Sequence, residues 1–125
     1  MAIEARNIDI SDLLNSRSDM VAKPADTDFS SSVGDFKEMT VGFIQACYSN
    51  LAANTGHFEL WVGAICDENK LARHPGSKVS VDSECNSVSW NLCCIGFRFF
   101  QVRYTANGET AGTVDRIVAI GKKNG

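Results

Sequence analysis

The sequence predicts an all-β protein, an antiparallel β-sandwich or jelly roll that carries an extended N-terminal arm. Short stretches of alternating apolar and polar residues recur along the chain, as they do in half-buried strands. Turn-forming residues separate these stretches, and the body shows no long helical period. A chain of 125 residues, of which 44% are hydrophobic, is large enough for one packed core.

The predicted arm covers residues 1–35. Residues 5–10 alternate loosely and are expected to form a strand, and Ser11 and Asp12 can cap a short helical turn through residue 14. Polar runs and Pro24 follow, so the arm cannot order itself alone: it must lie on its own domain or on a partner, or be mobile. Its scattered apolar residues are the candidate partner-binding positions Ile8, Ile10, Leu13, Leu14, Met20, Val21 and Phe29.

The sandwich domain is predicted to cover residues 36–125. Alternation and turn residues place strands at 39–48, 57–66, 78–82, around Trp90, at 97–105 and at 113–120. On the strand 57–66, Ala64 and Cys66 are expected to share the inward face with Phe58. The residues expected in the core are Phe58, Leu60, Val62, Trp90, Phe100, Val102 and Tyr104.

Aromatic residues on the opposite faces of two strands are further candidate partner-binding positions. Trp61 has outward parity, so it can anchor a protein partner or a sugar; it can equally pack under the arm or a second layer. Phe97 and Phe99 have the parity opposite to that of Phe100. That strand is therefore either covered on both sides or part of an interface, because exposed aromatic patches are rare on a monomer.

Charge and hydropathy argue against two classes of partner. The net charge is −3 and no basic cluster is present apart from Lys122 and Lys123, so nucleic acid is not expected as a partner. The N-terminal residues include several charges, and no apolar run approaches the ~20 residues of a membrane helix. Synthesis and folding in a cytoplasm, without a membrane, are expected.

The cysteine pattern indicates free thiols. The count of five is odd, and the spacings do not match paired metal ligands. Cys93 and Cys94 are adjacent, which in a strand directs them to opposite faces. The five are expected to be buried small apolar residues in a reducing compartment, with a metal site or a disulfide formed after lysis as the alternatives.

No catalytic, cofactor or metal site is predicted. The sequence has no nucleophile elbow and no glycine-rich phosphate loop, and its two histidines, His57 and His74, are interpreted as loop residues. Asp26 with Asp28, and the run 67–69, are the best candidates for calcium. Neither run supplies the six to eight oxygens that calcium takes. The protein is therefore expected not to be an enzyme and to need no cofactor.

The C-terminal half resembles small virion structural proteins of tailed bacteriophages. The resemblance is carried by Trp90-Asn91-Leu92, by the run 95–99 (Ile-Gly-Phe-Arg-Phe), by 102–105 (Val-Arg-Tyr-Thr), by the loop 108–113 and by 120–122 (Ile-Gly-Lys). The strand 58–62 also fits, and the similarity extends over residues 36–123. It implies a β-sandwich attached to a capsid or tail. Cys93-Cys94 and the arm depart from the pattern, so the attachment site does not carry over.

The resemblance and the residue pattern together predict a virion protein, most simply a capsid decoration (cement) protein made in the host cytoplasm. Its expected partners are the major capsid protein and neighbouring copies of itself. An arm that gains order on docking and a repeated lattice both suit this role. The alternatives are a tail or head-fibre module that binds carbohydrate through Trp61, and a cellular adhesion or carbohydrate-binding domain.

Overall fold

The computed structural model describes residues 9–12, 22–37, 39–82 and 84–122, and for residues 9–12 and 122 the description covers the backbone. Strands form two antiparallel sheets that pack face to face, as predicted for a β-sandwich. The described residues contain no α-helix; their single helical turn is the 3₁₀ turn Glu68–Lys70. No helix among them is long and apolar enough to cross a membrane.

The first sheet contains the longest strands of the molecule. Its strands are β1 (Asp9–Asp12), β2 (Lys23–Pro24), β5 (Val41–Ser49), β9 (Ser87–Leu92) and β11 (Thr113–Lys122). Their order is β1-β11-β5-β9, and β2 also pairs with β11. Among the described residues, one edge of this sheet is therefore β9, and the other is formed by β1 and β2.

The second sheet has two long central strands flanked by strands of two residues each. Its members are β3 (Phe29–Ser30), β4 (Gly34–Asp35), β6 (His57–Gly63), β7 (Ala72–Arg73), β8 (Val79–Ser80) and β10 (Phe99–Thr105). The order is β3-β10-β6-β7; β4 also pairs with β10, and β8 also pairs with β6.

The core lies between the sheets and follows the predicted alternation. On β5, residues alternate between buried and half-buried along the whole strand. Six of the seven residues expected in the core are buried: Phe58, Leu60, Trp90, Phe100, Val102 and Tyr104. Val62 is half-buried and packs against the rim of this cluster, because it lies next to the last residue of β6.

The predicted strand 57–66 ends earlier than expected. β6 stops at Gly63, where a Cβ atom would lie 2.9 Å from the side chain of Leu71. Leu71 packs across this position and the chain turns away. Ala64 and Cys66 are therefore exposed, and their predicted place on the inward face is wrong.

Part of the N-terminal segment forms a strand. β1 pairs with β11 from Asp9, opposite Gly121, to Asp12, opposite Val118, and it overlaps the predicted strand 5–10 at residues 9 and 10. Residues 5–8 and the helical turn predicted through residue 14 lie outside the described residues. Of the candidate arm residues, Ile8, Leu13, Leu14, Met20 and Val21 lie outside the described residues, and the backbone of Ile10 pairs with Ile120.

Residues 22–35, assigned to the arm, run along both sheets. β2 lies beside β11, and β3 and β4 lie beside β10. Ala25 has no exposed surface, and its carbonyl accepts a hydrogen bond of 2.7 Å from the Tyr104 hydroxyl. The ring of Phe29 lies 5.3 Å from that of Tyr104. The arm and domain limits stay predictions, while this part of the arm docks on its own sandwich.

β11 contains one residue more than its ladder with β5 requires. Val114 pairs with Tyr48 and Arg116 pairs with Cys47, so the register shifts at Asp115. This is a β-bulge, which lets Val114 and Ile117 both face the core while Arg116 stays exposed.

The cysteines differ from the prediction in their burial. None of the five forms a disulfide bond. Cys47 is half-buried, and the other four are exposed: Cys66, Cys85, Cys93 and Cys94. The four exposed cysteines lie in turns and loops rather than on inward strand positions. Their predicted burial is therefore wrong.

Candidate functional site

Trp61 lies on the outer face of the second sheet, as its parity predicts. Trp61 on β6 pairs with Gln101 on β10. Two residues further along the two strands, Glu59 pairs with Arg103. Alternate residues of a strand point to the same face, so Trp61, Gln101 and Arg103 lie together on the side away from the core. Trp61 is half-buried.

A guanidinium group covers the indole ring. The Cζ atom of Arg103 lies 4.0 Å from the centre of the Trp61 ring, a close cation–π contact. The Arg103 Nε donates to Gln101 Oε1 at 2.8 Å, and its Nη2 donates to the carbonyl of Glu68 at 2.8 Å. We call Trp61, Arg103, Gln101 and Glu68 the Arg–Trp platform; its hydrogen bonds hold the two large side chains in a fixed arrangement.

The indole N–H of Trp61 is buried and has no hydrogen-bond partner among the described residues. A buried donor without an acceptor costs free energy, so most such groups in proteins are satisfied. The direct stabilisation of the platform therefore comes from stacking and from the hydrogen bonds of Arg103 rather than from the Trp61 N–H.

A polar cleft of about 550 Å³ adjoins the platform. Its walls are the segment 30–33 and the turn 67–69, and Lys23 and Gln101 complete the lining. Gln101 is 2% exposed, and its Nε2 donates to the carbonyl of Ser31 at 2.8 Å and to Glu68 Oε1 at 3.3 Å. The base of the predicted arm thus forms one wall of this cleft, which offers hydroxyl, carbonyl and carboxylate groups to a ligand.

Aspartates of the two acidic runs considered for calcium accept hydrogen bonds from nearby groups of the chain. Asp67 caps the 3₁₀ turn by accepting from the amide of Asn69, and Asp28 accepts from the amide of Ala106 at 2.8 Å. Asp26 accepts from the hydroxyl of Thr27. Within the described ranges, no group of three or more acidic, histidine or cysteine side chains could hold a metal ion.

Phe97 and Phe99 occupy different environments. β10 begins at Phe99, so Phe97 lies in the preceding loop, packed against the core, with its ring 6.0 Å from Phe36 and 5.8 Å from His74. The structure therefore does not place Phe97 and Phe99 on one strand face. Phe99 starts the outer face that Trp61 shares, and the guanidinium of Arg98 lies 5.0 Å from its ring centre.

The loops at one end of the sandwich, residues 36–37, 39–40, 64–71 and 93–98, form what we call the open end. Ile65 is 60% exposed, and Cys66, Cys93 and Cys94 are exposed beside it in sequence or on the next loop. The Arg98 guanidinium donates to the Asp35 carboxylate at 3.0 and 3.1 Å and thereby lowers the pKa of Asp35. The open end thus combines an exposed ion pair with one large exposed apolar side chain.

The opposite end, made of residues 50–56 and 106–112, is called the closed end. Glu109 is buried there, and its carboxylate accepts hydrogen bonds from the amides of Ala52, Ala53, Asn54, Thr110 and Ala111. Burial alone would raise the pKa of Glu109, but the amide donors outweigh it and lower the pKa to about 2. This carboxylate joins two loops and is fully occupied by that role.

Sequence reasoning found Trp61 and Phe99 but missed Arg103, Gln101 and Ile65. The parity of Arg103 and Gln101 on β10 is the signal that could have found them, because it is the parity of Phe99. Ile65 carried no such signal, since the strand was expected to continue past it. Comparisons with protein-family models, with curated proteins and with solved structures find no match for this chain.

Proposed function

We propose that this protein is a structural component of a tailed-bacteriophage virion, a capsid decoration protein that binds and stabilises the major capsid shell. The proposal takes its class from the resemblance of residues 36–123 to small virion proteins. The observation that supports it is the Arg–Trp platform on the outer face of the second sheet. A binding role, without catalysis, is part of the proposal.

The platform has the properties of an interface centre. Tryptophan and arginine are enriched among residues that contribute most to protein–protein binding. Gln101 and Glu68 already fix Arg103 in the free protein, so less side-chain entropy is lost on docking. Phe99 extends the same face towards the open end, where Ile65 adds an exposed apolar contact.

The arm supplies the second contact in this proposal. β1 to β4 attach residues 9–12 and 23–35 to the sandwich itself. The anchor residues that the proposal assigns to a neighbouring subunit are therefore the predicted ones outside these strands: Ile8, Leu13, Leu14, Met20 and Val21. On a shell with many identical sites, two modest contacts per copy reinforce each other.

The test is the occupancy of undecorated particles by purified variants. Replacing Arg103 with alanine should weaken particle binding about tenfold or more, because a central arginine contact is lost. Arg116→Ala, on the exposed side of the first sheet, is the matched control and should bind as the wild type does.

A conservative variant of Arg103 distinguishes the effect of its stacking on Trp61 from the effect of its positive charge. Arg103→Lys keeps the positive charge but loses the planar group that covers Trp61, so it should bind less well than the wild type. Thermal unfolding of each variant checks that the sandwich is intact. Unchanged occupancy for folded Arg103→Ala and Arg103→Lys would contradict the proposed attachment face.

A tail or head-fibre module that binds carbohydrate is the second candidate, and the polar cleft beside the platform favours it. Hydroxyl and amide groups that line a cleft of about 550 Å³ are suited to sugar hydroxyls. Asn69→Ala, at the exposed wall, should then lower retention on immobilised host polysaccharide without changing capsid occupancy. Loss of capsid occupancy alone would favour the decoration protein.

A further inference from the structure

The edges of the two sheets differ in how they are protected from pairing with another chain. At one edge of the first sheet, β2 is a strand of two residues that includes Pro24, and proline on an edge opposes the addition of a strand. Both margins of the second sheet are strands of two residues, β3 with β4 and β7 with β8. Short edge strands offer little template for pairing.

β9 has none of these protections. It runs for six residues, Ser87–Leu92, and its sequence Ser-Val-Ser-Trp-Asn-Leu has no charge and no proline. Its pairing with β5 continues without a register shift from Cys47 to Gly42. Within the described part of the chain, β5 is its one strand neighbour.

The backbone groups that face outward from β9 can be identified. The amide of Tyr48 donates to the carbonyl of Asn86 at 3.0 Å, in the register that the β5–β9 ladder continues. Hydrogen-bonded pairs alternate along an antiparallel ladder, so Val88 and Trp90 bond to β5. Ser87, Ser89 and Asn91 therefore direct their N–H and C=O groups away from the sheet, and these groups bond to no other described residue.

The inward side chains of β9 are held in the core. Val88 and Trp90 are buried, and the indole N–H of Trp90 donates to the carbonyl of Ser77 at 2.7 Å. The side chains of Ser89 and Asn91 are exposed on the outer face. The edge thus offers ordered, unpaired backbone without a side chain that would block an incoming strand.

We propose that β9 pairs with β9 of a second copy of this chain, antiparallel about a two-fold axis at Ser89, and so joins two first sheets into one. About this two-fold axis, Ser89 faces Ser89 of the second copy, and the residues on either side of it face each other across the axis. Two edges that carried charges of one sign would therefore repel each other. β9 is uncharged, and in this register Ser87 faces Asn91 of the second copy.

Sedimentation of the purified full chain across the micromolar to millimolar range tests this proposal. The wild type should show a monomer–dimer equilibrium. Ser89→Lys places two ammonium groups across the axis and should weaken dimerisation by more than about tenfold. Ser80→Lys makes the same substitution at an exposed position of β8 in the other sheet, and it should dimerise as the wild type does.

A proline at the axis tests the backbone directly. The outward N–H of Ser89 is unused in the monomer, so Ser89→Pro should remain folded by circular dichroism yet lose the dimer. A wild type that is monomeric throughout, or a dimer unaffected by Ser89→Lys and by a folded Ser89→Pro, would overturn the proposal. The experiment uses no particles, so its outcome is independent of the capsid assignment.

The register is tested with the exposed cysteines. In the proposed dimer the turn before β9, which contains Cys85, lies at the same end of the joined strands as the loop after β9 of the second copy, which contains Cys93; both cysteines are exposed. A short bismaleimide should link the dimer in alkaline buffer, because the hydrogen bond to Asp82 raises the pKa of the Cys85 thiol. Cys85→Ser should abolish the link and Cys66→Ser should not; the reverse result would overturn this register.

Discussion

The two ends of the sandwich are held together in different ways. At the closed end, one buried carboxylate, that of Glu109, accepts hydrogen bonds from amides of two loops. At the open end, loops meet through the packing of Phe36 and Phe97 and through the exposed ion pair of Arg98 with Asp35, and Ile65 remains exposed. The closed end satisfies its own backbone amides, while the open end leaves the apolar side chain of Ile65 exposed.

This difference leads to separate expectations for stability at one end and for the proposed binding at the other. A charged acceptor with a full set of amide donors needs nothing from outside, and any partner that competed for it would have to break several hydrogen bonds. An exposed isoleucine gains from being covered. We therefore expect substitutions at the closed end to change stability and substitutions at the exposed surface of the open end to change binding.

The largest expected effect is the loss of a ring beneath the open end. Phe100 is 1% exposed, and its ring stacks on Phe36 with centroids 4.3 Å apart. Phe100→Ala should lower the free energy of unfolding by about 3–5 kcal/mol, because it leaves a cavity between the sheets. Urea unfolding measures this change. Phe99→Ala, on the outer face of the same strand, is the control and should cost much less.

A loss below about 1 kcal/mol for Phe100→Ala would contradict the inward placement of that ring. It would also show that the open end holds together without its aromatic cluster. The comparison of the two ends would then have to be revised.

The next effect concerns Glu109 and depends on pH. Glu109→Gln replaces the charged acceptor with a neutral one that cannot satisfy as many amides, and it should cost about 2–3 kcal/mol at neutral pH. The carboxyl has a pKa of about 2 in the folded protein, against an ordinary value of 4.5. Between these values the unfolded chain binds more protons than the folded one, so the stabilisation by Glu109 increases with pH.

The stability difference between wild type and Glu109→Gln should therefore be full above pH 4.5 and should disappear as the pH falls to about 2. Chemical unfolding at a series of pH values measures this difference. Glu84→Gln, which removes one carboxylate at an exposed position, is the control and should change the free energy of unfolding little at neutral pH. A difference between wild type and Glu109→Gln that is constant over this range would contradict the amide-bonded carboxylate.

The smallest effect on stability is expected at the open end itself. Ile65→Ser changes a side chain that is 60% exposed, so the free energy of unfolding should change by less than about 0.5 kcal/mol. Particle occupancy should nevertheless fall, because apolar contact area is lost. If Ile65→Ser reached the same particle occupancy as the wild type, the open end would not be part of the proposed attachment surface.

The sequence predicted the fold class because the core residues of the long strands alternate. Phe58 and Leu60 on β6, and Phe100 and Val102 on β10, follow the period of two and are buried. Strands of two residues have no period to detect, so β2, β3 and β4 were hidden within the predicted arm. Ala25 is fully buried, and its backbone hydrogen-bonds to Gly112 and Tyr104, which are distant in the sequence. No local sequence pattern predicts these contacts.

The candidate site was predictable only in part for a related reason. Parity placed Trp61 outward, but its cover by Arg103 depends on the pairing of β6 with β10, which the sequence pattern does not specify. Phe97 was assigned to a strand because it continues the alternation of Phe99. Packing on Phe36 and His74 kept it in the loop instead.

Asp115, the extra residue of the β-bulge in β11, also affects where the chain can lose a residue without misfolding. Removing Asp115 would leave Val114 and Ile117 facing the core, with Arg116 between them on the outside, so the strand would become regular without exchanging its faces. Removing Val118 would instead turn Ala119 outward and place Ile120 inside. A one-codon deletion should thus be tolerated at the bulge and rejected three residues later, and length differences among related genes should gather at this position.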